Sequence, residues 1–240
     1  MQNAPVAPEG GEHPISPTRL ETWARCPFQY FLTYVLGLEA VEKPEELLSL
    51  SALEKGSLVH RVLERFVGER FVNAPGHREL SQPDEERLIG EVAEEEFARV
   101  EALGVTGKPA MWRIDRRRIA REMVEFVRRN RERFGETDQR TIATEFGFGL
   151  TDGSEPAVEV ELPDIGVVRF SGVIDRVDAS ADRGSATVID YKTGSSGAYS
   201  RIRDDPLDRG MRLQLPVYAE AARRHLGGRT RLDSFYWFVS

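Results

Sequence analysis

Two aspartates, each flanked by apolar residues, carry the clearest chemical signal in the sequence. Asp175 and Asp190 both lie in runs of valine and isoleucine, and Lys192 follows Asp190 by two positions. If the second run is a strand, its alternation puts Asp190 and Lys192 on one face and Tyr191 on the other. Charged side chains are costly to bury without a partner, so this placement indicates a use for them.

Neighbouring strands would bring the two aspartates together, and two interpretations of that juxtaposition stay open. Two carboxylates repel each other unless a cation lies between them. Oxygen ligands favour a hard cation such as Mg²⁺ or Mn²⁺ over zinc. The alternative is a buried ion pair, in which Asp175 or Asp190 binds Lys192 or Arg176. The residue types alone leave these alternatives balanced.

Three further polar residues lie on helical patterns. His60 falls on the same helix face as Gly56 and Glu64, away from the apolar stripe. A lone helical histidine is more often a surface residue than a ligand. Gln214 and Tyr218 lie four residues apart and share one face of a late helix, which is also common at an amphipathic boundary.

Hydrophobic periodicity predicts the elements that position these residues. Helical spacing predicts helices near residues 17–25, 28–36, 53–71, 88–100, 119–134 and 211–226, and Ser16 and Pro17 are typical of a helix start. Alternation predicts strands at 141–148, 157–162, 167–177, 186–192 and 232–239. This order predicts an α/β fold with a central mixed β-sheet flanked by helices, a helical insertion at about 75–135, and a disordered tail over residues 1–14.

Composition excludes several classes of protein. The chain has 240 residues, a net charge of −7 and 40% hydrophobic residues, enough to bury a core. No apolar run approaches the ~18–20 residues that span a bilayer, and the first residues lack the features of a secretory signal. The one cysteine, Cys26, forms no internal disulfide. We therefore expect a cytoplasmic protein that does not associate with membranes.

Charge is distributed unevenly along the predicted insertion. Residues 84–101 are strongly acidic, whereas residues 113–133 are rich in arginine. An arginine-rich ridge is a candidate surface for a phosphate backbone. Two solvated helix faces of opposite sign would give the same pattern, and this interpretation is equally favoured.

Taken in order, the motifs resemble a known family. They are Ser16-Pro17-Thr18-Arg19-Leu20 with Cys26-Pro27-Phe28, Gly56-x-x-x-His60, Gly172-Val173-Ile174-Asp175-Arg176, Asp190-Tyr191-Lys192 and Gln214-x-x-x-Tyr218. The sequence resembles the RecB-like exonucleases of the PD-(D/E)XK nuclease superfamily, of the AddB/RecB C-terminal nuclease type. The resemblance covers roughly residues 14–240 and implies a nuclease domain over residues 15–240 with a restriction-endonuclease-like core.

The resemblance also implies roles for individual residues. It implies a metal site for Mg²⁺ or Mn²⁺ built from His60, Asp175, Asp190 and the main-chain carbonyl of Tyr191. Lys192 would orient or activate the attacking water and offset charge on the phosphate. Glu145 corresponds to the acidic residue on the preceding strand and joins the catalytic group. DNA contact or support of the site is implied for Gln214, Tyr218 and Arg176.

Two departures from the family pattern affect the expected cofactors and partners. Some members bind an iron–sulfur cluster through a cysteine at the position of Cys26 and three later cysteines, which this chain lacks. We therefore expect no iron–sulfur cluster in this chain. The phosphate-binding motif G-x-x-x-x-G-K-[ST] is also missing, since Gly107-Lys108 is followed by Pro109. Any helicase partner would then be a separate subunit.

The function that these features favour is a metal-dependent DNA exonuclease acting in recombination or repair, beside a helicase. One alternative is a structure-selective endonuclease on the same scaffold. Another is a non-catalytic DNA-binding or assembly module that has kept the fold. The charges at Asp175, Asp190 and Lys192 argue against that module, because an inactive site has no reason to keep costly buried charges.

Overall fold

The computed structural model describes residues 13–38, 48–73, 80–151, 154–163 and 166–239. Its helices are α1 (Pro17–Arg25), α2 (Pro27–Tyr30), α3 (Ala52–Val67), α4 (Gln82–Ala102), α5 (Pro109–Glu136) and α6 (Gln214–His225). Two π-helical turns, Phe31–Val35 and Gly68–Val72, follow α2 and α3. Ser16 caps α1 and Pro17 occupies its first turn, as predicted. The predicted disordered tail lies outside the described residues except for His13 and Pro14.

The strands form a mixed central sheet, as predicted. They are β1 (Arg140–Phe148), β2 (Val158–Leu162), β3 (Gly166–Phe170), β4 (Gly172–Ala179), β5 (Ser185–Lys192) and β6 (Arg231–Phe238). The central sheet has the order β1-β4-β5-β6, and β2 pairs with β3 in a separate two-stranded sheet. The pairs β1–β4 and β4–β5 are antiparallel, whereas β5 and β6 are parallel.

The prediction of one strand over residues 167–177 is wrong. The segment contains two strands, β3 and β4, which belong to different sheets and are separated at Ser171. Alternation continues through both strands, so the period does not reveal the change of partner. Gly172 is the first residue of β4 and lies close to α6. A Cβ at this position would come within 2.9 Å of Cε1 of Tyr218. Only glycine fits there without displacing the tyrosine ring.

Helices cover both faces of the central sheet. On one face, α3, α4 and α5 share a buried cluster with β5 and β6. In this cluster the ring of Phe126 packs edge-to-face against Tyr191 and at a tilt against Trp237, with centroid distances of 5.7 and 5.2 Å. On the other face, α6 buries Val217 and Tyr218 against strand residues that include Val188. The expected α/β architecture with a flanked mixed sheet is therefore confirmed.

The acidic and arginine-rich segments form α4 and α5, which pair with each other. Arg116 binds Glu94 and Glu101, and Arg131 binds Glu85, so the two helices run in opposite directions. This pairing neutralises part of the arginine-rich ridge within the protein. The helices lie within the predicted insertion, whose residues 75–79 fall outside the described part, and α5 belongs to the same buried cluster as the sheet.

Candidate active site

Asp175 and Asp190 lie directly beyond the last main-chain pair between β4 and β5. The ladder between these strands runs from Ala179 paired with Ala186 to Arg176 paired with Ile189, and no further pair follows. Beyond that point, Oδ2 of Asp175 accepts a hydrogen bond from the main-chain N–H of Tyr191 at 2.6 Å. The Asp175 side chain thus continues the connection between the strands where the main-chain ladder ends.

His60 reaches the same point from α3. Its Nδ1 lies 3.3 Å from Oδ1 of Asp175, and its Nε2 lies 3.1 Å from the carbonyl oxygen of Tyr191. The apolar stripe of α3 is buried, so the histidine lies at the edge of that stripe beside the sheet. Burial acts to lower the pKa of His60, but the hydrogen bond to Asp175 and the charges of both aspartates outweigh it, so the pKa is raised.

Gly56 lies one turn before His60 and has no steric requirement for glycine. A Cβ at this position would lie 3.6 Å from Oγ1 of Thr193, which is an ordinary van der Waals distance. The close packing that would explain a glycine inside this helix is therefore not present at Thr193.

Asp190 and Lys192 lie on the face of β5 that is turned towards α6. Asp190 is only 3% exposed, and the ammonium group of Lys192 forms an ion pair with its Oδ2. The same ammonium donates to Oε1 of Gln214 at 3.1 Å, and Nε2 of Gln214 lies 3.5 Å from the hydroxyl of Tyr218. The alternation predicted from the sequence is thus confirmed, and Gln214 and Tyr218 lie beside the lysine.

Burial and charge perturb the protonation of Asp190. Burial raises its pKa, Lys192 acts in the opposite direction, and repulsion from Asp175 raises it again. The net effect is a raised pKa. The ion pair with Lys192 therefore offsets only part of the cost of burying this carboxylate beside Asp175.

Glu145 lies on β1 beside Asp175. Thr144 pairs with Arg176 and Phe146 with Ile174, which places Glu145 opposite Asp175 in the register. The φ of Glu145 is +48°, a left-handed conformation that costs a non-glycine residue ~1–3 kcal/mol. Partial burial and the charge of Asp175 raise the pKa of Glu145 to about 7. Backbone strain and an unfavourable charge thus coincide at this residue.

Arg176 lies on the opposite face of β4 from Asp175, and its side chain has no exposed surface with which to contact DNA. Its side chain is fully buried and binds both carboxylate oxygens of Asp178 at 2.7 and 2.8 Å, as well as Oδ1 of Asn130 at 2.7 Å. Strand alternation is the reason, because Arg176 follows Asp175 directly and points to the opposite face. The alternative in which Arg176 pairs with Asp175 or Asp190 is wrong, because Arg176 pairs with Asp178.

Two residues near the site were not predicted from the sequence. Tyr236 on β6 pairs in register with Asp190, and the ammonium of Lys192 lies 5.1 Å from the centroid of its ring. Glu21 on α1 is buried and contacts the start of α6. The sequence indicates Glu21 only by the presence of a glutamate on the otherwise apolar face of a short helix.

The donor atoms suit a hard divalent cation in their chemistry. Two carboxylates, a main-chain carbonyl and an imidazole lie together at the strand separation, and oxygen donors of this kind prefer Mg²⁺ or Mn²⁺. Within the described ranges, no three His, Cys, Asp or Glu side chains already converge on one cation position. Asp190 is instead directed at Lys192, and His60 at the carbonyl of Tyr191. Burial and the nearby Asp175 raise the pKa of Asp190, and a bound cation would counter the repulsion between the two carboxylates.

Comparison with known proteins gives a consistent result. The sequence profile of the PD-(D/E)XK nuclease superfamily matches residues 14–240. Two similar proteins are each named as a subunit of an ATP-dependent helicase/deoxyribonuclease: one from Desulforamulus reducens, 29% identical over 88% of this chain, and one from Acetivibrio thermocellus, 27% identical over 88%. A protein of the same name from Clostridium novyi is 27% identical over 86%. In each case the match covers 18% of the relative's length.

Proposed function

The chain belongs to the PD-(D/E)XK nuclease superfamily, and on that premise we propose that it is a divalent-metal-dependent nuclease that hydrolyses the phosphodiester bonds of DNA. The observation that carries the proposal is the convergence of His60, Asp175 and the Tyr191 carbonyl at the end of the β4–β5 ladder, with Asp190 and Lys192 beside them.

The proposed metal ligands are His60, Asp175, Asp190 and the main-chain carbonyl of Tyr191. When bound, a divalent cation supplies positive charge against the phosphate oxygens and lowers the pKa of water. Asp175 also fixes the position of the carbonyl donor, because it binds the N–H of the same residue, Tyr191. Glu145 lies on the outer side of Asp175 and adds a third carboxylate to this group.

We propose that Lys192 stabilises the negative charge that develops on the phosphate in the transition state. Its ammonium is held between Asp190, Gln214 and the ring of Tyr236, which fixes its position before substrate arrives. A preorganised cation at a reacting phosphate stabilises the charge that develops there and orients the attacking water. Gln214 and Tyr218 support this arrangement by holding the lysine from α6.

The wider role is proposed from the relatives. Their names combine a helicase with a deoxyribonuclease, and the matched segment is a small part of their length. We propose that this chain acts as an exonuclease in DNA recombination or repair, together with a helicase, and in the cytoplasm. No described helix has both the length and the apolar character needed to cross a bilayer.

Digestion of end-labelled linear DNA and of closed circular DNA tests this proposal. Each substrate is incubated with Mg²⁺, with Mn²⁺ and with EDTA. The proposal expects degradation of the linear DNA with either metal, none in EDTA, and intact circles throughout. Cleavage of the closed circles would show an endonuclease and contradict the exonuclease proposal. DNA binding without cleavage under any condition would support the non-catalytic module.

A further inference from the structure

Glu21 on α1 is a buried carboxylate whose partners are main-chain groups of another helix. It is 4% exposed, and its Oε1 accepts the N–H of Leu213 at 2.6 Å and that of Gln214 at 3.1 Å. Leu213 is the N-cap residue of α6 and provides no side-chain cap of its own. Glu21 therefore caps α6 from outside the helix.

The charge of Glu21 is balanced by this helix start. In the described part of the chain, no lysine, arginine or histidine forms an ion pair with it. The N-terminus of a helix carries partial positive charge and unpaired N–H groups, both of which stabilise a carboxylate. A charge-assisted hydrogen bond of this kind is stronger than one between neutral groups.

The capped turn carries the residue that holds Lys192. Gln214 is the first residue of α6, and its Oε1 accepts the hydrogen bond from the Lys192 ammonium at 3.1 Å. One residue thus receives Glu21 on its main chain and Lys192 on its side chain. A shift of this turn would move the partner of the lysine directly.

The body of α6 is docked without help from Glu21. Val217, Tyr218, Ala221 and Ala222 are buried against the sheet. The segment that enters α6 is irregular, with positive φ values of +42° at Asp208 and +57° at Arg209. The first turn is therefore held by fewer packing contacts than the later turns, and the hydrogen bonds to Glu21 act at this turn.

We infer that Glu21 is a positioning residue that fixes the first turn of α6 and, through Gln214, the ammonium group of Lys192. The inference rests on the proposed function only in so far as it assigns a consequence for cleavage. The contact chain from Glu21 through Gln214 to Lys192 is a property of the fold and is open to a test that needs no activity.

The cleavage test compares Glu21→Ala, Glu21→Gln and Ser81→Ala. Ser81 caps the remote helix α4 by accepting the N–H of Asp84, so Ser81→Ala removes a helix cap away from the site. Single-turnover cleavage is measured at saturating Mg²⁺ and DNA, together with DNA affinity in EDTA. We expect Glu21→Ala to lose about 10-fold to 100-fold in rate, as for displaced catalytic groups, with DNA affinity unchanged. Glu21→Gln keeps an acceptor oxygen and should restore most of the rate.

A double-variant comparison identifies the route of the effect. If Glu21 acts through Gln214, Glu21→Ala added to Gln214→Ala should reduce the rate no further than Gln214→Ala alone. If the rate losses of the two single variants instead multiply in the double variant, the inference is contradicted. A Glu21→Ala enzyme as fast as Ser81→Ala would also overturn it.

Amine labelling of the metal-free protein tests the contact without any cleavage. The chain has four lysines, and Lys55, which pairs with Glu122, is an internal reference. Mass spectrometry should show faster labelling of Lys192 relative to Lys55 in Glu21→Ala, and no change in Ser81→Ala. Unchanged labelling in Glu21→Ala would overturn the inference. If the wild type does not cleave DNA at all, the proposed function fails, while this comparison still decides the role of Glu21.

Discussion

The carboxylate of Asp175 binds the main-chain N–H of Tyr191, with 2.6 Å between Oδ2 and the nitrogen. The other oxygen of Asp175 faces His60, whose second ring nitrogen faces the carbonyl of Tyr191. Three residues from α3, β4 and β5 therefore form a closed ring of contacts at the end of a strand ladder. The fold and the proposed metal site depend on the same side chain.

This double role gives different expectations for two variants of Asp175. Asp175→Asn keeps an oxygen for the Tyr191 N–H, so its free energy of unfolding should stay close to that of the wild type. Asp175→Ala leaves this N–H without its acceptor, which costs about 1–3 kcal/mol when the donor is buried. Both variants should lose Mg²⁺-dependent cleavage, because both lose the negative charge. Urea unfolding and single-turnover cleavage check the pair, and an active Asp175→Asn enzyme would contradict the ligand assignment.

Lys192 distinguishes a catalytic cation from an ion-pair partner. If it stabilises phosphate charge, Lys192→Ala should bind DNA normally and bind metal at least as tightly, since Asp190 loses a competing cation. Its rate should fall by ~10²–10³, the usual effect of losing one preorganised group. Lys192→Arg should not restore the rate, because a planar guanidinium does not replace a compact ammonium.

Single-turnover cleavage and metal-titration calorimetry measure these two effects separately. Lys108→Ala is the control, because Lys108 is exposed and lies at the start of α5. A Lys192→Ala enzyme within a few-fold of the wild-type rate would support the structural ion pair instead.

His60 should contribute to metal affinity more than to DNA binding. His60→Ala removes the proposed imidazole ligand, so a higher Mn²⁺ concentration should be needed for half-maximal cleavage. DNA affinity in EDTA should be unaffected. His225→Ala is the matched control, because His225 pairs with Glu155 on the surface. An unchanged Mn²⁺ titration in His60→Ala would leave this histidine with a purely structural role.

Arg176 should affect stability and not DNA contact. Among the described residues, Arg176→Met leaves the buried carboxylate of Asp178 with Thr141 and the more distant Arg133 as its remaining partners. Breaking a buried pair from one side costs about 3–5 kcal/mol. Exposed Arg113 makes no ion pair with any described residue, and Arg113→Met should stay within about 0.5 kcal/mol of wild type. Urea unfolding measures both, and a stable Arg176→Met protein with impaired DNA binding would contradict this assignment.

Local periodicity in the sequence predicts on which face of its strand or helix each of several site residues lies. Strand alternation placed Asp190 and Lys192 on one face, and helical spacing placed His60 away from the buried stripe of α3. The same alternation, applied to Asp175 and Arg176, predicts opposite faces for these neighbours, and the structure places their side chains accordingly. These relationships need no knowledge of the tertiary fold.

Other features depend on contacts between distant parts of the chain. Glu21 and its partner Leu213 are 192 residues apart, and no local pattern connects them. The change of sheet at Ser171 has no signal in the alternation, because β3 and β4 alternate alike. The ion pairs between α4 and α5 require knowledge that these two helices are neighbours. Periodicity describes each element, whereas these features depend on which elements meet.

The most direct test of the proposed metal site is Mg²⁺-dependent, single-turnover cleavage of end-labelled linear DNA by Asp190→Ala. Asp233→Ala is the control, since Asp233 is an exposed carboxylate at the other end of the neighbouring strand. We predict that Asp190→Ala in Mg²⁺ cleaves no faster than the wild type in EDTA, while its metal-free stability is equal or slightly higher because a repulsive pair is removed. Asp233→Ala should cleave like the wild type. A folded Asp190→Ala protein that cleaves at the wild-type rate would contradict the account.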